Sequence, residues 1–300
     1  RIKNRPKLVR PKGGCMTNNV TTIDENILVI PESISDQDFE KFAKAIGQDD
    51  FSQADRIPRL SIEQSTDDSE GNTIPRGKYR LWIDNSTYYI NNPTVRLFLR
   101  MFGYSVYDQS ENRFSNRTVL KPSLKDAFPD TTGGLKCGKL GREEIDSLGD
   151  NSIEKALQKS IRCAQTIYGV IESGKAYKAD SPKKTVDMKD TPFMWTVRGA
   201  SFIPVSDFIK GLTDHKKIML KTSVKLATER MQRGSVTYYQ AKVTETGEPH
   251  FGEEDINILS SFADDVNKYN AYVLKEHKDA KKLLDVQDEL DVEAELAVGA

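Results

Sequence analysis

Residues 95–102 read VRLFLRMF. At the two-residue period of a β-strand, Arg96, Phe98, Arg100 and Phe102 share one face, and Val95, Leu97, Leu99 and Met101 share the other. The second face is plain core. The first alternates cations with aromatic rings, a combination that stacks bases and pairs phosphates, with stacking worth about 1–3 kcal/mol per base; its other reading is a second core layer with arginines snorkelling past it. Tyr79, Arg80, Trp82 and Tyr104 stand close by, and Tyr88, Tyr89, Tyr107, Arg113, Phe114 and Arg117 enrich the same region. A second basic run puts Lys217, Lys221 and Lys225 on one strand face, opposite Ile218, Leu220, Thr222, Val224 and Leu226. It reads either as a track for a phosphate backbone or as an ordinary solvated face. Trp195 and Arg198 form a further cation–aromatic pair, with the tryptophan equally suited to core.

Catalytic chemistry finds little to work with. Residues 133–139 read GGLKCGK and match GxxxxGK, but Leu140 stands where a P-loop needs Ser or Thr for magnesium, and no hydrophobic strand precedes the loop. The loop reads either as a plain structural turn or as a tight basic loop that holds Lys136 and Lys139 near phosphate, with Arg142 beyond it. Carboxylates cluster at Asp67, Asp68 and Glu70, at Glu143, Glu144 and Asp146, and at Glu253, Glu254 and Asp255, all in loops or helix starts, with no pattern specific to a metal-dependent nuclease. Cys15, Cys137 and Cys163 are far apart, as are His215, His250 and His277, which argues against a disulfide framework, a zinc module and histidine catalysis. The expectation is a non-enzymatic protein without a cofactor or metal.

The net charge of −1 conceals segregation. Residues 1–12 carry +6, 13–73 carry −9, 74–242 carry +12, 243–284 carry −4 and 285–300 carry −6. A basic middle followed by an acidic end suits a polyanion partner that the tail competes with, because cations gain by releasing phosphate counterions. Residues 1–15 read either as a basic arm or as an extension upstream of a start at Met16. Nothing approaches 18 consecutive apolar residues and no secretory h-region stands at the N-terminus, so the reading is a soluble, cytoplasmic protein with no membrane partner.

The elements that must position these residues follow from periodicity. A short amphipathic helix is expected over 35–46, with Ser35 as N-cap and Gly47 as stop. A strand over 58–63 and an exposed loop over 65–72 come next. β-rich runs at 78–84, 88–90, 94–107 and 114–121 form one group, and runs at 163–171, 192–197, 217–228 and 235–243 form a second. Helical patches at 152–160 and 204–212 interrupt them. Ile256, Leu259, Phe262, Val266, Tyr269 and Val273 recur at three- and four-residue steps, which predicts a long amphipathic helix over 253–284. The acidic residues 285–300 either continue that helix or form a mobile docking segment.

The aromatic-basic strands, the helix after the β-rich core and the acidic C-terminus together resemble the OB-fold single-stranded DNA-binding proteins of bacteriophages. Residues 59–79 and 133–139 also resemble uncharacterised proteins of phages of aquatic bacteria. The first resemblance covers residues 57–300. The chain departs from it in ending on Val298-Gly299-Ala300 rather than an aromatic residue, and in carrying a second β-group. It implies an α+β, mostly β fold: an OB-like antiparallel barrel over 57–252 elaborated by the second β-group, preceded by a basic arm and short helix over 1–56 and followed by the helix over 253–284 and the tail over 285–300. The implied function is coating of single-stranded DNA in viral replication, recombination or repair, in the bacterial host cytoplasm. The tail would engage replication proteins, and the chain would self-associate. Tyr79, Trp82, Phe98, Phe102 and Tyr104 would stack bases, and Arg80, Arg96, Arg100, Lys121, Lys136, Lys139, Lys217, Lys221 and Lys225 would pair phosphates. On that reading, alanine at Arg96 and Arg100 flattens the salt dependence of binding. The alternative is a viral structural or assembly protein that uses its strands as a sandwich.

Overall fold

Branched and aromatic runs separated by turn residues fold into strands. The clearest turn is Asp84-Asn85, where both residues take positive φ (44° and 60°), the geometry of a two-residue hairpin turn that Asp and Asn tolerate. The computed structural model describes residues 57–108, 113–133 and 142–298. They belong to the second of two units into which the chain divides, Arg1–Ala54 and Asp55–Ala300. The basic arm, the helix expected over 35–46, and Lys136 and Lys139 lie outside the described residues.

The described strands are β1 (Arg59–Ile62), β2 (Tyr79–Ile83), β3 (Ser86–Ile90), β4 (Thr94–Asp108), β5 (Arg113–Arg117), β6 (Ile161–Ser173), β7 (Lys175–Tyr177), β8 (Thr185–Asp187), β9 (Thr191–Val197), β10 (Ser223–Arg233) and β11 (Val236–Gly247). All eleven belong to one sheet, ordered β11-β10-β4-β6-β9-β1-β2-β3-β7-β8, with β5 paired to β4. Every pairing is antiparallel except that of β1 with β9. The two β-groups of the sequence are thus halves of a single sheet. The described helices are α1 (Arg142–Ser147), α2 (Ile153–Ser160), α3 (Phe202–Asp214) and α4 (Glu253–Val298). The Ser152 hydroxyl caps α2 by accepting from the Lys155 N–H at 3.2 Å. The backbone of α4 stays helical well past residue 284, so residues 285–298 continue the helix. Among the described residues no helix is long and apolar enough to cross a membrane.

The sheet is strongly curled. β2 and β10 stand five places apart in strand order, about 24 Å in a flat sheet at ~4.8 Å per strand. Yet the Tyr79 hydroxyl donates to the Ala227 carbonyl at 3.1 Å. The Gln64 side-chain amide completes the closure by donating to the Tyr239 carbonyl (2.8 Å) and accepting from its N–H (2.9 Å), as a neighbouring strand would. Inside the curl Leu60, Tyr79, Leu81, Val95, Leu97, Ile167, Phe193, Trp195 and Leu226 form the main core, with Val205 and Ile209 of α3 packed among them.

Two expectations fail here. β4 does not keep one alternation over 95–102, because its register against β6 shifts between Leu97 and Leu99. Such a bulge places one extra residue in the strand and moves the following side chains to the opposite face. Val95 and Leu97 point into the main core, whereas Phe98, Leu99 and Met101 join a second cluster on the outside of the sheet. The run over 217–228 is also not one strand. Residues Met219–Lys221 make a 3₁₀ turn and β10 begins at Ser223, so Lys217, Lys221 and Lys225 do not share a strand face.

Gly169 sits opposite Leu97 beside the bulge. A Cβ there would lie 2.5 Å from the Arg96 carbonyl oxygen and 2.6 Å from the Phe193 ring, so neither neighbour has room to give. Gly169→Ala is expected to cost about 1–3 kcal/mol by overpacking. The check is urea unfolding, with a lower midpoint at unchanged m; an unchanged midpoint would mean the bulge is soft.

Candidate nucleic-acid interface

The outward face of the sheet is defined by what points inward. On β9 Phe193, Trp195 and Val197 enter the main core, so Met194 and Thr196 face out and Arg198 follows them. By the same alternation Arg59 and Ser61 of β1, Arg80 and Trp82 of β2, and Arg162, Ala164, Thr166 and Tyr168 of β6 face out.

α4 covers one part of that face. Phe262 and Val266 bury Phe98, Tyr168 and Val170, with Met194 and Met101 at the margin. The Phe98 and Phe262 rings meet edge-on at 5.9 Å. The Tyr168 hydroxyl donates to an Asp265 carboxylate oxygen at 2.8 Å, and burial pushes the Tyr168 phenol well above its ordinary range. Further along, the Asn270 amide accepts from the Leu120 N–H (2.6 Å) and donates to its carbonyl (3.0 Å). α4 is therefore a fixed part of the body.

Beside α4 the outward face carries a band of arginines on small residues. Ser105 of β4 pairs with Arg117 on one side and Arg162 on the other, which sets Arg117, Ser105 and Arg162 in one row. Gly103 pairs with Ala164, and the pairing of Gln165 with Val197 puts Ala164 beside Arg198, which gives the next row. The Phe114 ring holds two of the guanidiniums, Arg198 at 5.4 Å and Arg117 at 5.9 Å from its centroid, and Tyr107 braces it edge-on at 5.2 Å. Each such contact contributes about 0.5–1 kcal/mol at an exposed site and leaves the guanidinium N–H groups free to donate. Arg117, Arg162 and Arg198 are exposed, and among the described residues none of them forms an ion pair. Thr196, Ser61 and Arg80 continue the band toward β2, with Arg59 and Trp82 paired in the adjoining row.

Most residues singled out from the sequence are placed elsewhere. Tyr79 is 1% exposed, edge-on to Trp195 in the main core. Phe98 and Phe102 are buried, and Tyr104 packs edge-on against Phe128 at 5.0 Å in a third cluster. None of these four rings presents a face for a base. Arg96 is neutralised by Asp255 (2.7 Å) and Glu172 (3.4 Å). Arg100 donates to Gln165 Oε1 (2.8 Å) and Ser206 Oγ (2.7 Å) and is desolvated enough to lower its pKa. Lys217 pairs with Glu245 and Glu248, Lys221 lies over Phe251 at 5.8 Å, and Lys121 is half-buried beside Phe102. Lys225 is exposed, but it pairs with Thr94 at the far end of β4. The eleven residue steps from Thr94 to Ser105 separate it from the arginine band by about 36 Å at ~3.3 Å each. Of the described residues in the expected set only Arg80 and Trp82 adjoin the band, and Arg80 is shared with Glu63 at 3.2 Å.

Asp68 caps its own loop, accepting from the N–H groups of Glu70 and Asn72, and Asp255 binds Arg96. Among the described residues no three His, Cys, Asp or Glu side chains converge to hold a metal. No protein-family model, curated protein sequence or solved structure matches the chain.

Proposed function

We propose that this protein binds single-stranded DNA without strong sequence preference, along the band from Arg117 to Trp82. The observation that carries the reading is the set of three exposed guanidiniums, Arg117, Arg162 and Arg198, which have no carboxylate partner among the described residues and stand in adjoining rows beside Ser105 and Ala164. Arg80 and Arg96, by contrast, are paired with carboxylates. Strand order supports the same reading. β4, β6 and β9 form a meander, α3 follows, and the β10–β11 hairpin returns to pair with β4. That order resembles the connectivity of an OB barrel, with β1 standing beside β9 where the last barrel strand would close. OB domains use the outer face of their second and third strands and the adjoining loops. Here α4 occupies much of that face, which moves the track to the uncovered rim. Three adjacent guanidiniums suit one backbone better than a duplex, whose two backbones need a wider basic surface.

The band crosses five strand spacings, about 24 Å at ~4.8 Å each. At a stacked rise of ~3.4 Å per nucleotide that is about 7 nucleotides, within the range of one OB domain. Fluorescence anisotropy with labelled oligothymidylate, matched duplex and matched RNA at two salt concentrations tests the reading. Submicromolar binding to the single strand, weakening with salt and saturating at about 4–7 nucleotides per chain, is the expected result. Binding that is absent, or stronger for duplex, would overturn it.

A further inference from the structure

At the β5 end of the band the surface opens into a cleft of about 430 Å³, lined by Val106, Tyr107, Ser115, Lys159, Ser160 and Arg162 among others. We infer that this cleft is a single-nucleotide slot, which takes one base out of the bound strand against Tyr107 and holds that nucleotide's phosphate at Lys159 and Arg162. The inference rests on the single-strand reading and deepens it. The volume lies in the ~300–1,000 Å³ range of small-ligand sites, and the lining contains two cations, two hydroxyls, an aromatic ring and no carboxylate. Arg162 belongs both to the cleft and to the arginine band, so a strand on the band leads directly into the slot.

The electrostatics favour phosphate despite a nearby helix end. Lys159 and Ser160 close α2, whose C-terminus carries a partial charge of about −0.5. One Arg162 Nη donates to the carbonyls of Lys159 and Ile161 and so satisfies that end directly. Two full positive charges therefore outweigh the helix. Ser160 donates its hydroxyl to the Leu157 carbonyl at 2.7 Å, which leaves its lone pairs, with the Ser115 hydroxyl, to meet base edges. Tyr107 is held by the Phe114 ring and cannot swing away without breaking that contact.

Photocross-linking of an iodouracil-substituted oligothymidylate to the full chain tests the slot, with the linked peptide read by mass spectrometry and binding measured in parallel. The cross-link is expected on the peptide carrying Tyr107 and is expected to vanish in Tyr107→Leu. In Lys159→Ala, an exposed change that does not touch the core, the salt slope should fall by about 0.7, one phosphate's share on a single strand. If the strand binds with its cross-links elsewhere and the Lys159→Ala slope is unchanged, the slot is rejected and the band stands. If no strand binds the unaltered chain, the slot falls together with the single-strand reading.

Discussion

Arg96→Ala is expected to lower the unfolding free energy by about 3–5 kcal/mol, the cost of leaving a buried carboxylate without its partner. The Arg96 side chain is 13% exposed and that of Asp255 8%, with 2.7 Å between guanidinium and carboxylate. A second carboxylate, Glu172, stands 3.4 Å from Nε, Nη1 donates to the His250 carbonyl at 3.3 Å, and the guanidinium lies 5.1 Å from the centre of the Phe98 ring. Removing the arginine strands two negative charges at the place where the N-terminus of α4 meets β4 and β6. Asp255 also accepts from the Gly252 N–H at 2.9 Å, so the first turn of α4 loosens with it. Urea unfolding followed by circular dichroism measures the loss. Because both neighbouring carboxylates already neutralise Arg96, the folded variant should bind single-stranded DNA with an unchanged salt slope, contrary to the sequence expectation that Arg96 and Arg100 set that slope. A loss below 1 kcal/mol accompanied by a flatter slope would return Arg96 to the interface.

The opposite pattern is expected of the triple variant Arg117→Ala, Arg162→Ala, Arg198→Ala. Three phosphates at about 0.7 each amount to a slope smaller by about 2. At about 1 kcal/mol per exposed cation, the upper end for surface pairs, affinity should fall about a hundredfold. Stability should move little, because these side chains lie on the surface and water can take over the hydrogen bonds Arg162 makes to the Lys159 and Ile161 carbonyls at the end of α2; surface changes of this kind stay within about ±0.5 kcal/mol. Lys225→Ala supplies the contrast, an equally exposed cation at the other end of β4 whose loss should leave the slope as it was. A triple variant that binds with the parent slope would remove the band from the interface, whatever its thermal stability.

Local signals in the sequence located several elements directly. The helical patch over 152–160 anticipated α2, and the three- and four-residue steps from Ile256 to Val273 anticipated α4, because helical periodicity acts within a few residues. Most strands of both β-groups were legible for a similar reason, although β7 and β8 were not anticipated and a 3₁₀ turn breaks the run over 217–228. Their union in one sheet was not, since strand order depends on contacts between distant segments. The sequence also supplied the right kinds of side chain for the interface, naming Phe114, Arg117 and Arg198 among many others. Nothing local distinguished Arg162, which follows a helix end without any motif.

Composition and period are therefore legible without the fold: a mostly β chain with a long closing helix, a basic middle, and aromatic rings interleaved with arginines. Tertiary structure decided which of those arginines remain available. Arg96 and Arg117 look alike in sequence, each within three residues of a phenylalanine on a β-rich run. A bulge after Leu97 and the arrival of Asp255 from the far end of the chain bury and neutralise the first. Small neighbours on β4 and β6, and a Phe114 ring shared with Arg198, leave the second exposed and unpaired. Charge on a side chain is a local property, whereas its desolvation and its pairing depend on whatever the fold brings within a few ångströms.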